Sequence, residues 1–518
     1  MPSAPGLLAH GTGADELGLR SFVLMMGCVV GCYAYWVATG GEKFLPTISV
    51  TWEVPPANYV SRLVVGNVCD MTAAVNGILY FHEQRQRARL PWEQLPRWLG
   101  IATSPALLLG LALVGLFCLS WVGAICDSPE PSCMGNNAIH TALAVVFFVC
   151  YDVKMLLTAL LDRAADARYA RPSAALALAS AAATVLRVAL GLGLTPGLLG
   201  ADSETLLAIV ERTNVWIIAV WTVMQAFAAA KAAPLGYGTV VLSDAAPCAG
   251  PRVTALGGMT TPVLSYVVAA FYLGTLFVTA AIGVYQGYLP VVPGQIWFIS
   301  QMWTTVPGNW ISRWGVVQSA HWAAWVQVSL YVTALGRAGG DAAAQAKAKK
   351  LLATTLVALF GISVVGICNM DENITVHCLG AYAFFIGYDV YMYEVVESHE
   401  QQQKAVGSGA ATLVVARRWV AWGSIIGQLA SKAFYVLAST QHGAARAIAR
   451  NFSAGIEWID TLLIIAFFLF DVQVQQTTMT DIVHGVYVAH DEDDNVGYAP
   501  LTDGSSGSEK WSVRRNQL

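Results

Sequence analysis

Long apolar stretches constrain this chain more than any other feature. It has 518 residues, 56% of them hydrophobic and only 12% charged, about half the charged fraction of a typical soluble domain. A helix that crosses a bilayer needs about 20 mainly apolar residues, because the hydrocarbon core offers its backbone no water. About twelve stretches meet that length, at residues 20–40, 60–82, 99–122, 138–161, 173–194, 209–230, 263–285, 310–335, 351–368, 374–396, 418–440 and 457–475. The sequence therefore predicts an all-α polytopic membrane protein with about twelve transmembrane helices.

Loop charge predicts that both termini lie in the cytosol. Arginine and lysine concentrate in the loops that follow even-numbered stretches, as at Arg85, Arg87 and Arg89. Such positive loops stay on the cytosolic side of a membrane. The expected organisation is a cytosolic N-terminus, a six-helix repeat, a cytosolic linker, a second six-helix repeat and a polar, disordered cytosolic tail. Their respective residues are 1–19, 20–230, 231–262, 263–475 and 476–518.

Three stretches recur in the same order in both halves of the chain. One runs from Ile48 to Arg62 in the first half and from Ile299 to Arg313 in the second, and each copy contains a tryptophan and ends in Asn-x-x-Ser-Arg. Another begins at His140 and at His377, and each copy continues with Phe-Phe and then Tyr-Asp-Val. Chance similarity between apolar helices explains matching Leu and Val, but not these residues. The sequence predicts a tandem duplication, and an even number of spans per copy makes the two repeats parallel.

Ionisable residues inside spans are costly and are candidate functional positions. Most of them occur in corresponding pairs, one per repeat. Our interpretation is a polar cleft at the outer headgroup level of each repeat, for a lipid headgroup or a small polar ligand. The cleft residues are His140, Arg187, Glu211 and Asn214 in the first repeat and His377, Lys432, Glu457 and Asp460 in the second. The alternative is a set of interhelical ion pairs, such as Arg187 with Glu211, that hold helices together.

Three further acidic residues lie inside predicted spans. Asp70 is in the middle of the second span, whereas Asp152 and Asp389 are expected towards the cytosolic ends of the fourth and tenth. Side chains near a span end can reach the interface. These carboxylates are therefore either functional groups or interfacial anchors.

Several features fit the predicted outer side. Cys126 and Cys133 flank a short outer loop and can form a disulfide in an oxidising compartment. Asn373 and Asn451 begin the two Asn-x-Ser/Thr sequons, and both fall on the outer side, where glycosylation takes place.

The predicted tail carries a short sorting pattern. Tyr498-Ala-Pro-Leu501 is a Tyr-x-x-apolar tetrapeptide in a polar context. It resembles endosomal and lysosomal sorting signals that clathrin adaptors read. The tetrapeptide predicts adaptors as partners and a location in endolysosomal or plasma membranes.

Signals for enzymatic chemistry are weak. The sequence has no Gly-x-Ser-x-Gly, His-Glu-x-x-His, P-loop or Cys-x-x-Cys pattern, and its nine histidines form no metal-spaced cluster. It therefore predicts no catalytic residue, no metal and no cofactor. No long basic run suggests nucleic-acid binding. A histidine with acidic residues in each repeat leaves acid–base chemistry open, although no nucleophile accompanies it.

The repeated unit resembles the damage-regulated autophagy modulator (DRAM) family and its FRAG-type and yeast suppressor-type relatives. The likeness rests on the Ile-Ser-x-Thr-x-x-x-Pro-Pro pattern that ends at Pro56, on the His-Cys-Leu-Gly-Ala run from His377, and on Ile456-Glu457-Trp458. The second copy departs from the pattern with a single proline, Pro307, and the first reads Glu-Arg at Glu211. The tandem twelve-span form is also unusual for this family.

The resemblance implies a non-enzymatic membrane modulator or scaffold in lipid organisation, trafficking or autophagy. Its implied partners are membrane lipids and other membrane proteins, and some relatives assist remodelling of glycosylphosphatidylinositol lipids. Three alternatives stay open: a secondary transporter, a lipid-remodelling factor, and a structural subunit of a membrane complex. Two parallel halves of six spans match the general plan of major-facilitator carriers, which favours the transporter among them.

Overall fold

The computed structural model describes residues 5–41, 45–91, 96–130, 133–193, 203–242, 252–292, 294–406, 411–474, 482–489, 496–497 and 514–515. Helices dominate both halves of the chain. The helices of the first repeat are α1 Ala14–Ala38, α2 Ile48–Thr51, α3 Ala57–Ala88, α4 Arg97–Ala102, α5 Pro105–Ala124, α6 Asn137–Ala164, α7 Ala170–Gly191 and α8 Ser203–Ala232. Those of the second are α9 Thr261–Tyr285, α10 Gly308–Ala338, α11 Ala342–Ile367, α12 Met370–Val406, α13 Ala411–Thr440 and α14 Gly443–Val474, with a short 3-10 helix at Ile299–Trp303.

Local sequence signals set several helix starts. Asn136 precedes α6, and its side-chain oxygen accepts a hydrogen bond from the amide of Ile139 at 3.1 Å. Asp341 precedes α11 and accepts from the amides of Ala343 and Ala344. These side chains satisfy amides that the first helical turn leaves without intrahelical partners.

Among the described residues, nine helices are long and apolar enough to cross a membrane. They are α1, α3, α5, α6, α7, α8, α9, α11 and α14. The remaining long helices, α10, α12 and α13, have 30 residues or more but carry more polar side chains. An all-α polytopic membrane protein is thus confirmed.

In each repeat the long helices form a closed ring. Consecutive helices pack along the chain, and the first helix of a repeat packs on the last, α1 on α8 and α9 on α14. Each ring encloses its own apolar core, around Trp221 in the first repeat and Phe467 in the second. The two rings meet through the second and third long helices of each repeat, α3 and α5 against α10 and α11.

Four strands join the chain ends and the connector into one small barrel. The strands are β1 Pro5–Gly13, β2 Leu235–Val241, β3 Arg252–Thr260 and β4 Ile482–Ala489. They pair antiparallel in the closed order β1-β2-β4-β3. Each repeat contributes the strand before its first helix and the strand after its last. Two further two-residue strands, β5 Val496–Gly497 and β6 Arg514–Arg515, pair with each other.

The barrel bears on two sequence expectations. Residues 231–262 were expected to form a cytosolic linker, and the structure places the strands β2 and β3 within them. A disordered tail was expected from residue 476, yet Ile482–Ala489 forms β4, whose described side chains are almost all buried. These segments read as loops because glycine interrupts their apolar pattern, and their pairing partners lie far away in sequence. We call the barrel end of the molecule the inner end, and loop charge predicts that it is cytosolic.

Glycine permits the barrel to close. Gly238 of β2 and Gly485 of β4 are opposite each other in the register. A Cβ atom at Gly485 would lie 1.8 Å from the carbonyl oxygen of Gly257, and one at Gly238 would lie 2.2 Å from the carbonyl oxygen of His10. Only residues without a side chain allow backbones to approach this closely.

The barrel packs between the two rings at their inner end. The Trp325 ring of α10 contacts the rings of Tyr237 and His484, with centroids 5.5 and 5.6 Å apart. The imidazole of His484 is buried and hydrogen-bonds to the hydroxyls of Thr239 and Ser329, at 3.1 and 2.6 Å. Burial lowers the pKa of His484 from 6.5 to about 3, and nearby His10 adds to that effect. His484 therefore ties the barrel to α10 as a neutral side chain.

Candidate functional site

The first repeat has an outer cleft of about 630 Å³ that contains three of the expected residues. His140 opens α6, and its Nδ1 donates to the carbonyl of Ile125 at 2.6 Å, while its Nε2 lies 2.8 Å from the Ser49 hydroxyl. Arg187 of α7 and Glu211 of α8 face each other with nitrogen and oxygen 3.9 Å apart. The cleft is open at the outer end, between α6, α7, α8 and the segment that leads into α2.

Two charged groups in this outer cleft have hydrogen-bonding capacity left over. The guanidinium of Arg187 is 14% exposed and stacks on Phe148 at 4.8 Å. Within the described part of the chain, neither Nη1 of Arg187 nor Oδ1 of Asp127 has a hydrogen-bond partner, although both atoms are buried. Buried polar atoms are nearly always satisfied in proteins. The cleft therefore offers one cationic donor and one anionic acceptor to a ligand.

The corresponding residues of the second repeat are arranged differently. His377 repeats the His140 contact, with its Nδ1 donating to the carbonyl of Cys368 at 2.8 Å. The ammonium of Lys432, however, lies over the Tyr382 ring at 5.2 Å. The ammonium also lies 6.0 Å from the Phe385 ring, whereas Arg187 and Glu211 line the outer cleft of the first repeat.

Asn214 and Asp460 lie one helical turn further inward than Glu211 and Glu457, and each contacts a serine there. Ser180 Oγ of α7 lies within hydrogen-bond distance of both Asn214 and Asp152, 2.7 and 2.5 Å from their Oδ1 atoms. Asp460 and Asp389 contact Ser424 of α13 in the same way. Each repeat thus gathers three polar side chains near the middle of its helices.

Asp152 and Asp389 occupy equivalent places in the two repeats. Asp152 lies well inside α6, a helix of 28 residues, and is buried. Its carboxylate contacts Ser180 of α7, next to Asn214 of α8. Asp389 occupies the equivalent place in the second repeat, half-buried beside Ser424.

Asp70 lies where the two repeats meet. The His321 imidazole of α10 is 3.8 Å from the Asp70 carboxylate and donates to Asn67 of α3 at 2.9 Å. Gln318 also donates to Asp70 Oδ1, at 2.7 Å, when its amide nitrogen faces the carboxylate. Two polar residues from each repeat therefore contact each other across the interface.

Sequence reasoning missed a buried charge cluster at the outer end of the same interface. The carboxylate of Glu372 binds both Arg62 and Arg313, the final residues of the two Asn-x-x-Ser-Arg copies. Its oxygens are 2.9 and 3.0 Å from Arg62 and 2.5 Å from Arg313, and all three side chains are almost fully buried. Both arginines also donate to the carbonyl of Cys133, at 3.4 and 3.0 Å. The identical motif in both copies was the available signal.

The remaining predicted residues are placed as follows. The sulfurs of Cys126 and Cys133 are bonded to each other in the loop between α5 and α6. Asn373 interrupts the helical geometry near the start of α12, and Asn451 in α14 accepts from the amide of Ile296. Tyr498 and Leu501 lie outside the described residues. The described residues contain no group of three or more His, Cys, Asp or Glu side chains arranged to hold a metal.

The fold and its paired polar groups define an integral, multi-pass membrane protein built from two copies of one helical unit. A family model described as the Frag1/DRAM/Sfk1/Cwh43P N-terminal domain matches residues 17–229 and again residues 261–471. The chain belongs to this family, and the two matches confirm both the family resemblance and the tandem duplication. No curated protein and no solved structure is significantly similar to it.

Proposed function

We propose that this protein is a membrane modulator that binds a zwitterionic phospholipid headgroup in the outer cleft of its first repeat. The observation that carries the proposal is the pair of unsatisfied groups in that cleft, Nη1 of Arg187 and Oδ1 of Asp127. A guanidinium binds phosphate through charge-assisted hydrogen bonds, and a carboxylate binds an ammonium. A headgroup with one phosphate and one amine satisfies both.

The surroundings of these two groups support a lipid over a free solute. The same cleft is lined by apolar side chains, among them Val145, Val188, Leu192 and Leu207. Exposed apolar side chains beside a polar pocket suit acyl chains that continue into the bilayer. The proposed role is in membrane organisation, trafficking or autophagy, in an endolysosomal or plasma membrane, with clathrin adaptors as partners of the tail.

The test is lipid retention by the full-length protein in mild detergent, measured by native mass spectrometry. The probes are phosphatidylethanolamine, phosphatidylcholine and phosphatidylglycerol, added at equal concentrations. We expect the wild type to retain the zwitterionic lipids, and we expect Arg187→Gln and Asp127→Asn each to weaken retention by about 10-fold or more. Lys432→Gln is the matched control in the second repeat and should leave retention unchanged.

Equal retention by wild type, Arg187→Gln and Lys432→Gln would contradict lipid binding by Arg187. The contact of Arg187 with Glu211 would then be a structural ion pair. Preference for phosphatidylglycerol over the zwitterionic lipids would contradict the role of Asp127. Circular dichroism and elution volume establish that each variant folds before its lipid retention is compared.

A secondary transporter is the second candidate. Asn67, Asp70, Gln318 and His321 favour it, because they gather polar groups between two parallel halves in the middle of their helices. Carriers of this plan bind substrate at such a position. Against it, the Glu372 cluster joins the halves at the outer end. Solute flux into proteoliposomes that is lost in Asp70→Asn would favour transport over the modulator.

A further inference from the structure

Ser424 lies between two carboxyl groups in the middle of the second repeat. Its Oγ is 2.7 Å from Oδ1 of Asp389 on α12 and 2.5 Å from Oδ1 of Asp460 on α14. In the first repeat Ser180 lies between Asp152 and Asn214 in the same way. The second repeat therefore carries one more carboxyl group than the first at equivalent positions.

The two contacts of Ser424 need more than one proton. A serine hydroxyl supplies one proton, and an ionised carboxylate can only accept. Two ionised carboxylates cannot therefore both be satisfied by Ser424. Asp460 is 0% exposed, and among the described residues its second oxygen, Oδ2, has no hydrogen-bond partner. Two ionised carboxylates on either side of one hydroxyl group inside a protein repel each other strongly, and a bound proton removes that repulsion.

We propose that Asp389 and Asp460 hold one proton between them, so that the second repeat contains a proton-binding site. The proton forms an O–H bond with one carboxyl group, which donates to Ser424 Oγ. The Ser424 hydroxyl in turn donates to the other carboxylate. Every contact then joins a donor to an acceptor, and the pair carries one negative charge in place of two. Such a pair titrates as a unit.

A groove connects this site to the exterior. Asp389 is half-buried and lines a groove of about 790 Å³ between α11, α12 and α13. Apolar side chains of Ile386, Val390 and Ile425 line the same groove, and the ion pair of Lys350 with Glu394, 2.6 Å apart, lies along it. Protons can therefore reach Asp389 through the groove.

Other ionisable groups face the carboxyl pair from the helices around it. The ammonium of Lys432 on α13 interacts electrostatically with the carboxyl group of Asp460. Glu457 lies one turn before Asp460 on α14. The groove adds Lys347, Lys350, Tyr393, Glu394 and Glu397. Lys432 carries one positive charge and can offset only one of the two carboxylate charges. The other carboxyl group therefore still needs a proton. Glu394, further along α12 than Asp389, pairs with Lys350.

The test is infrared difference spectroscopy on the full-length protein in nanodiscs at neutral pH. The wild type minus Asp460→Asn spectrum should contain a carboxylic acid C=O band that shifts in D2O. The wild type minus Asp389→Asn spectrum should contain the same band, because either change leaves a single carboxylate that Ser424 alone satisfies. Asp460→Asn should fold, because Asn214 occupies that position in the first repeat.

Three controls fix the meaning of the band. Asn214→Asp should create a second band of the same kind in the first repeat, and Asp70→Asn should leave the wild-type band intact. A band that survives in Asp460→Asn or in Asp389→Asn would overturn a shared proton, because an independently protonated residue loses the band in one variant only. Loss of the wild-type band on addition of Na⁺ or K⁺ would overturn the proposal in favour of a cation site.

Discussion

The two repeats build the loop after their third long helix in different ways. In the first repeat this loop lies between α5 and α6 and is closed by the disulfide of Cys126 with Cys133. In the second repeat the connection between α11 and α12 is shorter, and the buried carboxylate of Glu372 lies just after it, in the first turn of α12. Cys133 of the first repeat and Glu372 of the second both supply acceptors to the same two arginines, Arg62 and Arg313. Duplication kept the two donors identical and let the acceptors diverge.

This difference makes the interface between the repeats asymmetric. Two guanidiniums and one carboxylate are buried together, so the cluster keeps an excess positive charge that the Cys133 carbonyl and other backbone oxygens help to offset. The carbonyls of Ile367 and Ala124, which end α11 and α5, each accept from the arginine of the other repeat. Each repeat thus supplies a backbone carbonyl to the arginine of the other, whereas the carboxylate that binds both arginines, Glu372, comes from the second repeat.

The largest effect is expected for Glu372→Gln. This change leaves two buried guanidiniums without a counter-charge, and loss of one partner from a buried ion pair costs about 3–5 kcal/mol. Thermal unfolding in detergent should show the loss as a lower midpoint. Glu394→Gln is the control, because its partner Lys350 is 64% exposed and such pairs contribute less than about 1 kcal/mol. Equal losses for both variants would contradict the importance of the cluster.

Replacing both loop cysteines by serine should cost somewhat less. A cross-link that closes a loop of this length stabilises a protein by about 2–3 kcal/mol through the unfolded chain. The loss should be visible as a lower unfolding midpoint, and Cys150→Ser, outside the disulfide, should show little change. A double variant as stable as wild type would mean that the loop holds the Cys133 carbonyl against the arginines without its covalent link.

The barrel strands β2 and β4 both need a glycine where they pair, so we expect substitutions at Gly238 and Gly485 to have similar effects. Gly238→Ala and Gly485→Ala each add a Cβ where backbone atoms already approach closely, and overpacking of this kind costs about 1–3 kcal/mol. Amide hydrogen exchange of β2 and β4 should become faster in both variants. Gly274→Ala in α9 has open space around it and should leave exchange unchanged. An effect in only one strand would mean that the two strands are not equivalent.

The barrel should also lose stability at low pH, because of His484 in β4. The folded His484 binds its proton only near pH 3, whereas the opened strand binds one below about pH 6.5. The barrel is therefore most stable above pH 6.5 and loses up to about 1.4 kcal/mol per pH unit as the pH falls from there towards 3. Exchange rates of β4 amides between pH 7 and 5 measure this slope. His484→Gln should flatten it, and His442→Gln, at an exposed position, should not.

The helices and the duplication could be predicted from the sequence, because both depend on local patterns of residues. Apolar stretches of membrane length and repeated polar motifs need no knowledge of distant contacts. The barrel could not be foreseen, because Thr239 and His484 pair across 245 positions of the chain and glycine hides the alternation of their strands.

Depth within a helix was the other source of error. The predicted span at residues 60–82 begins close to Arg62 and would place it near a span end. The helix α3 starts at Ala57, so Arg62 lies inside it and is buried against the other repeat. Arg187 and Glu211 could be paired in advance because they belong to consecutive helices. Partners such as Glu372 come from the other repeat, and no local pattern predicts them.

The strand barrel also says something about ancestry and assembly. One unit of this kind brings only two strands, and two strands leave edges that invite pairing with another chain. A single-unit ancestor could close the same barrel only by meeting a second copy of itself, in a twofold dimer. Joining two such genes would turn that encounter into a folding step within one polypeptide. It would also free each half to change separately, since neither would any longer have to match its own copy.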